Sequence, residues 1–555
     1  MSKHLAVDVR VPIEQDNIAI RRIESLCIQC GKCRDVCKNV ISVGQHYDLL
    51  KTNDTAICIH CGQCANVCPT NAIVERQEWM GVKEVISHTN KKVVAITSPS
   101  VRVGLGEEFG MEAGSYVEEQ MVGSLRALGV DYVFDTTFAA DLTIMEEASE
   151  LIDRIQNKKP LPQFTSCCPA WVKFVETYYP DLLPNISTSK SPISMFAPTI
   201  KTYFAKKENI DPEDIYIVAL TPCSAKKFEI QRPEFQDASI YNKKATYQDC
   251  DAVITTRELA NWLRAENLDL TSVEKSDFDS LMPRGSGAGI IFGNTGGVME
   301  AAIRSAYYFL TKEEPSEDLY HLEALRGLEG VKSAALNIAG IPLKVAVVHG
   351  TNNARAFIDQ IQTTNEHYDF IEVMTCRGGC IGGGGQPKHV LDDMDEIREK
   401  RIRALYDKDD AITLRNSHDN EQIKKVYEEF YGAPLTPLAE ELLHTSYKRR
   451  DDLQEDPSLY AKDYQIETTP SNIQYKCSIC GYIYEGDITL EGDDYKCPIC
   501  SVGKDLFELI ETTTPSNIQY KCSICGYIYE GDITLENDDY KCPICSVQKD
   551  LFELV

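Results

Sequence analysis

The segment E-V-M-T-C-R-G-G-C-I-G-G-G-G-Q-P, residues 372–387, decides the fold of the central part of this chain. It begins in an apolar run of the kind that forms a buried strand, and two cysteines, Cys376 and Cys380, come just after that run. In α/β folds, ligands bind beyond the carboxyl ends of the strands. The glycines at 378–379 and 382–385 could by themselves be an ordinary loop, or they could let the backbone approach a bulky group where side chains would clash. The segment therefore predicts a metal centre at the carboxyl edge of a sheet.

Two further cysteine motifs also lie at or just beyond the end of a strand-like run. T-S-C-C-P-A-W (165–171) contains Cys167 and Cys168, and T-P-C-S-A-K-K-F-E (221–229) contains Cys223. Between residues 86 and 395, helical stretches such as 142–155 alternate with β-type runs at 93–100, 131–137, 214–222, 343–350 and 368–376. This alternation predicts an α/β domain over 86–395 with mainly parallel sheets, and it brings the five cysteines to one edge.

The chain has 22 cysteines, and eight of them form two C-x2-C-x2-C-x3-C runs near the N-terminus. In that pattern three cysteines ligate one 4Fe–4S cluster and the fourth crosses to the other cluster. The predicted sets are Cys27, Cys30, Cys33 and Cys68 for one cluster, and Cys58, Cys61, Cys64 and Cys37 for the second. Lys38 stands where proline often follows the fourth cysteine, which leaves the ligands intact. Structural zinc, the alternative, does not need an interleaved set of eight cysteines, so residues 1–85 are predicted to form a ferredoxin-like domain.

The C-terminal region is an internal repeat. Residues 471–509 and 516–554 differ only at Gly492 against Asn537 and at Gly503 against Gln548. The paired C-x2-C motifs are Cys477, Cys480, Cys497 and Cys500, repeated as Cys522, Cys525, Cys542 and Cys545. This pattern resembles that of rubredoxins. The spacing between the two C-x2-C motifs is closer to that of the module that ends rubrerythrins. It predicts two rubredoxin-like domains, 471–510 and 511–555.

The metal of these two domains stays open between iron and zinc, because four thiolates suit both ions. Tyr482 and Tyr484, repeated as Tyr527 and Tyr529, favour iron, as does the presence of other redox centres in the chain. A structural zinc ribbon is the alternative.

The formal charge of −28 argues against nucleic acid as a partner. Residues 451–555 carry 21 acidic residues against seven lysines, a net charge of −14. Such a module can steer a basic redox partner, or it can serve solubility alone. Residues 451–470 are predicted to be an acidic linker, and residues 396–450 to be polar and helical without candidate ligands.

No signal-type or membrane-spanning apolar run is visible, so we expect a soluble, cytoplasmic protein without a membrane partner. The cytoplasm is reducing, which favours metal ligation over disulfides for these cysteines. Cys250, which belongs to no motif, is predicted to be a small buried hydrophobe. The G-S-G-A-G segment at 285–289 is not a nucleotide loop, because residue 290 is Ile.

The three central motifs, in this order and behind two ferredoxin runs, together resemble the signatures of FeFe-hydrogenases, and the match extends to about residue 450. By this resemblance, Cys168, Cys223, Cys376 and Cys380 ligate a 4Fe–4S cluster, and Cys380 also bridges to a two-iron subcluster. The other ligands of the two irons would be carbon monoxide, cyanide and a bridging dithiolate, installed by maturation enzymes. Residues 396–450 would be a helical extension like the hydrogenase small subunit. The implied architecture is multidomain, α/β and α+β.

The resemblance also assigns roles around this H-cluster. Lys226 and Ser100, which follows Pro99, would serve the two cyanides, and Met374 and Phe292 would form an apolar wall. The family's proton relay maps onto Cys167, Glu147, Glu150, Ser187 and Glu229. Glu147 and Glu150 are three residues apart, hence on one face of a helix. Thr221 and Ile193 stand where other members of the family often have Met and Gln. These two differences do not affect the expected reaction type, but the catalytic bias, turnover and gas sensitivity of the family do not carry over to this chain.

The implied activity is reversible dihydrogen oxidation, with the two 4Fe–4S clusters relaying electrons to ferredoxin or to the rubredoxin-like domains, and so to a rubrerythrin-like acceptor. Two alternatives have other functions. One is a low-turnover dihydrogen sensor, and the other is a non-catalytic iron–sulfur assembly factor of the same superfamily. The sequence leaves the oligomeric state and the direction of catalysis open.

Overall fold

The structure is a computed structural model that describes residues 9–13, 17–43, 57–244, 246–282, 284–338, 340–389 and 393–451, with 474–477, 483–485, 504, 507–510, 519–522, 528–530 and 552–554 in the C-terminal region. The chain divides into two compact units, Met1–Asp463 and Tyr464–Val555. Within the described ranges, the helices are too short or too polar to cross a bilayer.

The strands and helices are numbered in chain order. The strands are β1 (Ile20–Arg22), β2 (Ile73–Glu75), β3 (Lys92–Thr97), β4 (Tyr132–Asp135), β5 (Gln163–Phe164), β6 (Ile215–Leu220), β7 (Ala252–Ile254), β8 (Val331–Ile338), β9 (Ile341–His349), β10 (Phe370–Met374), β11 (Gln474–Cys477), β12 (Ile483–Glu485), β13 (Phe507–Ile510), β14 (Gln519–Cys522), β15 (Ile528–Glu530) and β16 (Phe552–Leu554). The α-helices are α1 (Lys32–Asp35), α2 (Gln63–Asn66), α3 (Trp79–His88), α4 (Pro99–Arg102), α5 (Glu118–Ala127), α6 (Thr136–Gln156), α7 (Pro169–Tyr178), α8 (Pro192–Thr199), α9 (Ala205–Glu208), α10 (Lys226–Glu229), α11 (Asp237–Asn242), α12 (Thr256–Ala265), α13 (Gly287–Ile291), α14 (Gly297–Thr311), α15 (Thr351–Thr364), α16 (Met394–Ala411), α17 (Glu421–Val426) and α18 (Pro437–Leu443).

Short 3-10 and π segments supplement these elements. The 3-10 turns are Glu24–Leu26, Leu105–Phe109, Pro180–Asn185, Pro212–Asp214, Glu317–Leu319, Glu323–Leu325, Cys380–Gly382 and Ser417–Asp419, and the π segments are Val36–Val40, Ile200–Phe204 and Tyr427–Tyr431.

The first sheet of the large unit is entirely parallel, in the order β4-β3-β6-β7. At its centre, Ile96 pairs with Phe134 on one side and with Ala219 on the other. Side chains of β3 alternate between two cores, so Ile96 packs with residues of α6 and α8 while Ala95 packs with residues of α5 and α12. Strands of parallel sheets are typically buried on both faces. This explains why the sequence of β3 is almost continuously apolar.

The second sheet has the order β5-β10-β9-β8, with β5, β10 and β9 parallel and β8 antiparallel to β9. It also separates two cores, one with residues of α7 and α15 and the other with residues of α14. The prediction of mainly parallel sheets is therefore confirmed. Cys250 is 4% exposed and lies in a core of the first sheet, as predicted.

The ferredoxin-like segment is built around the antiparallel pair β1–β2 and the one-turn helices α1 and α2. Each helix follows a left-handed glycine, Gly31 at φ +77° and Gly62 at φ +70°, a conformation that favours glycine. Helix α3 runs through the predicted boundary at residue 85, so the position of that boundary stays a prediction.

In the C-terminal unit, each repeat forms a three-stranded antiparallel sheet. The orders are β12-β11-β13 and β15-β14-β16. Equivalent pairs recur, such as Tyr475 with Tyr484 and Tyr520 with Tyr529. The linker beyond residue 451 lies outside the described residues.

Candidate active site

One pocket lies beyond the carboxyl ends of β5, β6 and β10, with about 730 Å³ of empty space that includes its opening to solvent. Its walls bring together residues from all three central motifs and from the turn after β3. The predicted site residues that line it are Pro99, Ser100, Cys167, Cys168, Cys223, Lys226, Phe292, Met374, Cys376 and Cys380. The two family departures, Ile193 and Thr221, also line it. Pro99 and Cys380, which are 281 positions apart in sequence, thus line the same pocket.

Four of the pocket cysteines lie close enough to affect one another's ionisation. Burial, with the charges of Cys223 and Cys168, raises the pKa of Cys376 and of Cys380, and burial and Cys168 raise the pKa of Cys223 to about 12. Four partly buried thiolates would repel one another strongly, and the single Lys226 ammonium, which lowers the pKa of Cys223 and Cys380, offsets only part of that repulsion. A bound iron–sulfur cluster offsets that cost, since thiolates are its usual protein ligands.

The loop after β10 is shaped to bring its backbone against its neighbours. Gly379 has φ +93°, and a Cβ there would stand 2.6 Å from the amide nitrogen of Thr295. The amide of Gly378 donates to Nδ1 of His349 at 2.8 Å, and the Glu372 carboxylate accepts from the amides of Gly296 and Met299 at the start of α14. These bonds fix the turn that carries Cys376 and Cys380.

The pocket walls fit a group that needs both polar and apolar contacts. Ser100 is buried, and its Oγ has no hydrogen-bond partner within the described ranges. Met374 and Phe292 supply apolar surface at the other wall. An unpaired buried hydroxyl and a cationic Lys226 suit anionic acceptors on a bound group, because an unsatisfied polar atom is otherwise costly. The donor set therefore fits an H-cluster.

Lys226 is held by an ion pair at the pocket wall. Its Nζ lies 2.6 Å from Oε2 of Glu229 and donates to the carbonyl of Cys167 at 3.2 Å. Burial opposes the charged form of Lys226, but the Glu229 carboxylate and the Cys223 thiolate outweigh it and raise the pKa. Glu229 also lines a second, smaller cavity, so it lies between the pocket and that cavity.

Behind Cys167 lies a buried carboxyl group, Glu147. Burial and the charge of Glu147 raise the pKa of the Cys167 thiol, which places the two groups close together. Burial, together with the charges of Glu150 and Glu372, raises the pKa of Glu147 to about 8. In the described part of the chain neither carboxylate oxygen has a hydrogen-bond partner of normal geometry. A carboxyl group that titrates near neutral pH in an apolar setting can both hold and release a proton.

Glu150 lies one helical turn further along α6 and is well paired. Ser187 Oγ donates to its Oε2 at 2.7 Å, Arg154 donates to its Oε1 at 2.7 and 2.9 Å, and the Thr188 amide donates at 3.1 Å. The Thr188 hydroxyl in turn contacts His444 Nδ1 at 2.8 Å. Sequence analysis did not select Arg154, Thr188 or His444, because no motif marks them.

The N-terminal cysteines gather in two sets. Cys27, Cys30, Cys33 and Cys68 line one cavity. Burial and the charges of Cys64, Cys58 and Cys37 raise the pKa of Cys61, which places the other four thiols together. Cys30 is the exposed member of the first set.

The second of these sets touches the central loop. Gln63 Nε2 donates to Cys376 Sγ at 3.2 Å and to the Gly382 carbonyl at 2.9 Å, although Gln63 and Cys376 are 313 residues apart. The Cys61 thiol also raises the pKa of Cys376 after burial and the pocket cysteines. The second N-terminal set of thiols therefore lies next to the cysteines of the pocket.

We expect Gly384→Ala to weaken this contact. A Cβ on Gly384 would stand 2.7 Å from Gly62 Cα and still nearer the Cys61 carbonyl, so backbone must move. Overpacking of this kind costs about 1–3 kcal/mol, and a lower midpoint of thermal unfolding would show it. Gly81→Ala is the matched control, because nothing lies within 4 Å of its Cβ and helical alanine is favoured over glycine. An unchanged midpoint for Gly384→Ala would refute the tight contact.

The predicted C-terminal ligands fall largely outside the described residues. Cys477 and Cys522 end β11 and β14. Cys480, Cys497, Cys500, Cys525, Cys542 and Cys545 are not among the described residues.

Family models match most of the chain. "Iron only hydrogenase large subunit, C-terminal domain" matches residues 91–384, and "Iron hydrogenase small subunit" matches 395–450. A 4Fe–4S binding domain matches 52–74, and the rubredoxin-like domain of rubrerythrin matches 475–508 and 520–553.

Curated relatives and solved structures agree with these models. Iron hydrogenase 1 from Clostridium pasteurianum is 41% identical over 76% of this chain and 75% of its own length. The NADP-reducing hydrogenase subunit HndD from Solidesulfovibrio fructosivorans is 42% identical over 77% and 74%. An apo FeFe-hydrogenase variant from Chlamydomonas reinhardtii has a TM-score of 0.59 and 37% identity, over 67% of this chain and 99% of its own. By its pocket, its cysteine motifs and these similarities, the chain belongs to the FeFe-hydrogenase (iron-only hydrogenase) family.

Proposed function

We propose that the chain catalyses H₂ ⇌ 2H⁺ + 2e⁻ at the pocket beyond β5, β6 and β10. The observation that carries this proposal is the convergence of Cys168, Cys223, Cys376 and Cys380 with Lys226 in one pocket. An H-cluster held there supplies the irons at which dihydrogen is cleaved or formed. The four thiolates would hold the cluster, and Cys380 would also serve as a ligand of its two-iron part.

The chain's own residues orient the bound group and exclude water from it. Lys226 donates from a position fixed by Glu229, and the Ser100 hydroxyl beside Pro99 is free to donate. Met374 and Phe292 keep the facing wall apolar. Charge in such a dry site acts more strongly than in water, so the fixed Lys226 ammonium has a large effect on anionic ligands.

Protons move along a separate line of side chains. Cys167 Sγ exchanges a proton at the pocket wall with Glu147. Ser187 donates to Glu150 and is near enough to Glu147 to lower its pKa, so its hydroxyl would pass the proton between the two carboxyl groups. Glu229 lies on the other side of Lys226 and gives a second carboxylate near the pocket. Acid–base groups that lie next to one another lower the barrier to proton transfer. A carboxyl group with a pKa of about 8, such as Glu147, is suited to this role.

This complete set of groups favours an enzyme over the two alternatives. A sensor needs the cluster but little turnover, and an assembly factor needs neither a proton line nor the diiron ligand Cys380. Here Cys167 and Cys380 both face the cavity, and Glu147 and Glu150 are both buried behind it.

The direct test is dihydrogen-dependent reduction of a viologen dye by the anaerobic, matured chain. We expect rapid colour formation with the matured protein and none with the same protein lacking the two-iron unit. If a chain with a complete H-cluster reduces no dye, the protein is a dihydrogen sensor or an assembly factor instead of an enzyme.

Electrons leave through the N-terminal clusters. The Cys58, Cys61, Cys64 and Cys37 set adjoins Cys376, and the Cys27, Cys30, Cys33 and Cys68 set includes the exposed Cys30, where an external partner can approach. We propose two 4Fe–4S clusters here and one Fe(Cys)₄ site in each C-terminal repeat. Acceptors would be ferredoxin, the two rubredoxin-like domains, or through them a rubrerythrin-like protein.

Dihydrogen should therefore bleach the ferric Fe(Cys)₄ absorption of the matured, oxidised chain without added mediator. Iron–thiolate sites of this type work at higher potential than the 4Fe–4S clusters, so electron flow toward them is downhill. Visible spectroscopy under dihydrogen, against the same sample under argon, checks this. Viologen reduction without bleaching would mean that the tail binds zinc or lies off the electron route.

Maturation enzymes must deliver the diiron unit, because its carbon monoxide and cyanide ligands are not protein groups. We place the chain in the cytoplasm, since a reducing compartment keeps this many thiolates available for metal. Nucleic acid is not expected as a partner at a charge of −28.

A further inference from the structure

Away from the pocket, three side chains of the ligand type meet near the C-terminal end of α14. Glu314 follows that helix, and His418 and Asp419 lie in the 3-10 turn Ser417–Asp419. Their ligand atoms all lie within 4.8 Å of one another. The cluster joins a segment of the catalytic domain to the C-terminal helical extension, and nothing in the hydrogenase reaction uses it.

His418 is held rigidly with one nitrogen unsatisfied. Its side chain is 1% exposed, and its ring stacks on Tyr308 with centroids 4.1 Å apart and planes 9° from parallel. Nδ1 lies 3.0 Å from Ser305 Oγ, while Nε2 has no hydrogen-bond partner in the described part of the chain. If Nδ1–H donates to Ser305, the Nε2 lone pair faces the two carboxylates.

The distances around Nε2 suit an ion rather than a hydrogen bond. Nε2 lies 3.7 Å from Glu314 Oε2 and 3.8 Å from Asp419 Oδ2. Both distances exceed a normal hydrogen bond. Nitrogen and oxygen ligands bind zinc-like ions at about 2.0–2.2 Å, so two ligands of one ion lie at most about 4.2 Å apart. Both pairs fall within that limit.

Asn416 holds the two carboxylates in place. It is 3% exposed, and its Nδ2 lies 3.2 Å from Glu314 Oε2, 2.9 Å from Asp419 Oδ2 and 2.8 Å from the Tyr320 hydroxyl. The two N–H groups can donate to two of these three oxygens at a time. Hydrogen bonds of this kind orient the ligands of natural metal sites, as does the bond from the second nitrogen of a ligating histidine. The cluster thus has the supporting shell that scattered surface acids lack.

The charge balance also fits a divalent ion. The two carboxylates carry two negative charges. The neighbouring Lys424 donates to Glu421 Oε1 at 2.8 Å, so its charge reaches Glu314 without a direct hydrogen bond and offsets only part of the negative charge. The Glu314 side chain is 61% exposed and that of Asp419 36%, so an ion can enter from solvent and keep water ligands. An imidazole ligand favours transition metals over Mg²⁺ or Ca²⁺.

We propose that Glu314, His418 and Asp419 form a binding site for a divalent transition-metal ion such as Zn²⁺, Fe²⁺ or Mn²⁺. The ion would tie the segment after α14 to the turn before α17. None of its three ligands is a cysteine, and none of them lines the pocket that contains Cys168, Cys223, Cys376 and Cys380.

Mn²⁺ is the probe for the test, because its oxygen and nitrogen preference keeps it off the thiolate sites. The full-length chain, with its iron sites filled and free metal removed, is titrated with Mn²⁺ while the six-line electron paramagnetic resonance signal of free Mn²⁺ is followed. We expect one bound Mn²⁺ per chain and its displacement by Zn²⁺. His418→Gln and Glu314→Gln should weaken binding at least about tenfold.

His321→Gln is the matched control. His321 Nε2 also lies near two carboxylates, 3.3 Å from Glu317 and 4.0 Å from Asp410, but on the open surface. Binding should be unchanged in this variant. Because Glu314 is exposed, Glu314→Gln decides the question even where the buried His418 variant folds poorly. No bound Mn²⁺ in the wild type, or equal binding in wild type and Glu314→Gln, would overturn the proposal.

Discussion

Replacing Cys167 by Ala should abolish turnover while leaving the infrared bands of carbon monoxide and cyanide in place. Cys167 lines the pocket next to the predicted ligand Cys168, and its neighbour Glu147 is close enough to raise the pKa of its thiol. Alanine keeps the backbone but removes the only atom that can pass a proton at this point of the proposed relay. Loss of a general acid–base group costs about 10²- to 10⁴-fold in rate.

The measurement is dihydrogen-dependent viologen reduction, normalised to the infrared intensity of the loaded cluster. Cys250→Ala is the matched control, since Cys250 is equally a buried thiol but lies in the core of the first sheet. It should retain wild-type turnover. If Cys167→Ala loses the infrared bands, Cys167 has a structural role instead of the one proposed.

Glu147→Gln should lower turnover by about 10²-fold or more, because an amide cannot relay the proton that the carboxyl group holds. Burial raises the pKa of Glu147 to about 8, so in the folded protein the group is protonated over a range where it is ionised in the unfolded chain. The folded state therefore binds more protons between about pH 4.5 and pH 8, and this group makes stability fall as the pH rises through that window. The Gln variant should lack that contribution, and its unfolding midpoint should fall less with pH.

Glu146→Gln provides the matched control on the adjacent residue of α6. Glu146 is also fully buried, but its carboxylate accepts from Tyr427, from the Leu435 amide and from His444, away from the pocket. Its loss should reduce stability by about 1.5–3 kcal/mol, with little change in turnover per loaded cluster. If Glu147→Gln keeps more than half of wild-type turnover, or if both variants lose turnover equally, the proposed relay is wrong.

Cysteine spacing and strand order together predicted much of this site. The strand-end rule was sufficient to bring Cys168, Cys223 and Cys376 together, because parallel strands deliver their carboxyl ends to one edge. The resemblance placed Lys226 and Ser100 beside them. The common location of these residues was predictable because they belong to short, contiguous motifs, whereas the roles assigned to them stay predictions.

Contacts between distant segments could not be predicted in this way. Gln63 and Asn66 donate to the glycine loop more than 300 residues later. Neither residue is a predicted cluster ligand, so the cysteine spacing gave no reason to select them. The prediction that residues 396–450 contain no candidate ligands does not account for His418 and Asp419, because their third partner, Glu314, comes from another segment. Such constellations depend on tertiary packing, which single-sequence patterns do not encode.

The most direct test of the central claim is the infrared spectrum of the matured, anaerobic chain under argon and then under dihydrogen. The proposed function predicts carbon monoxide and cyanide bands that shift when dihydrogen is added and return when it is removed, since the group in the pocket formed by Cys168, Cys223, Cys376 and Cys380 changes its electron count. Bands that are present at full intensity but identical under both gases would contradict dihydrogen chemistry at this site.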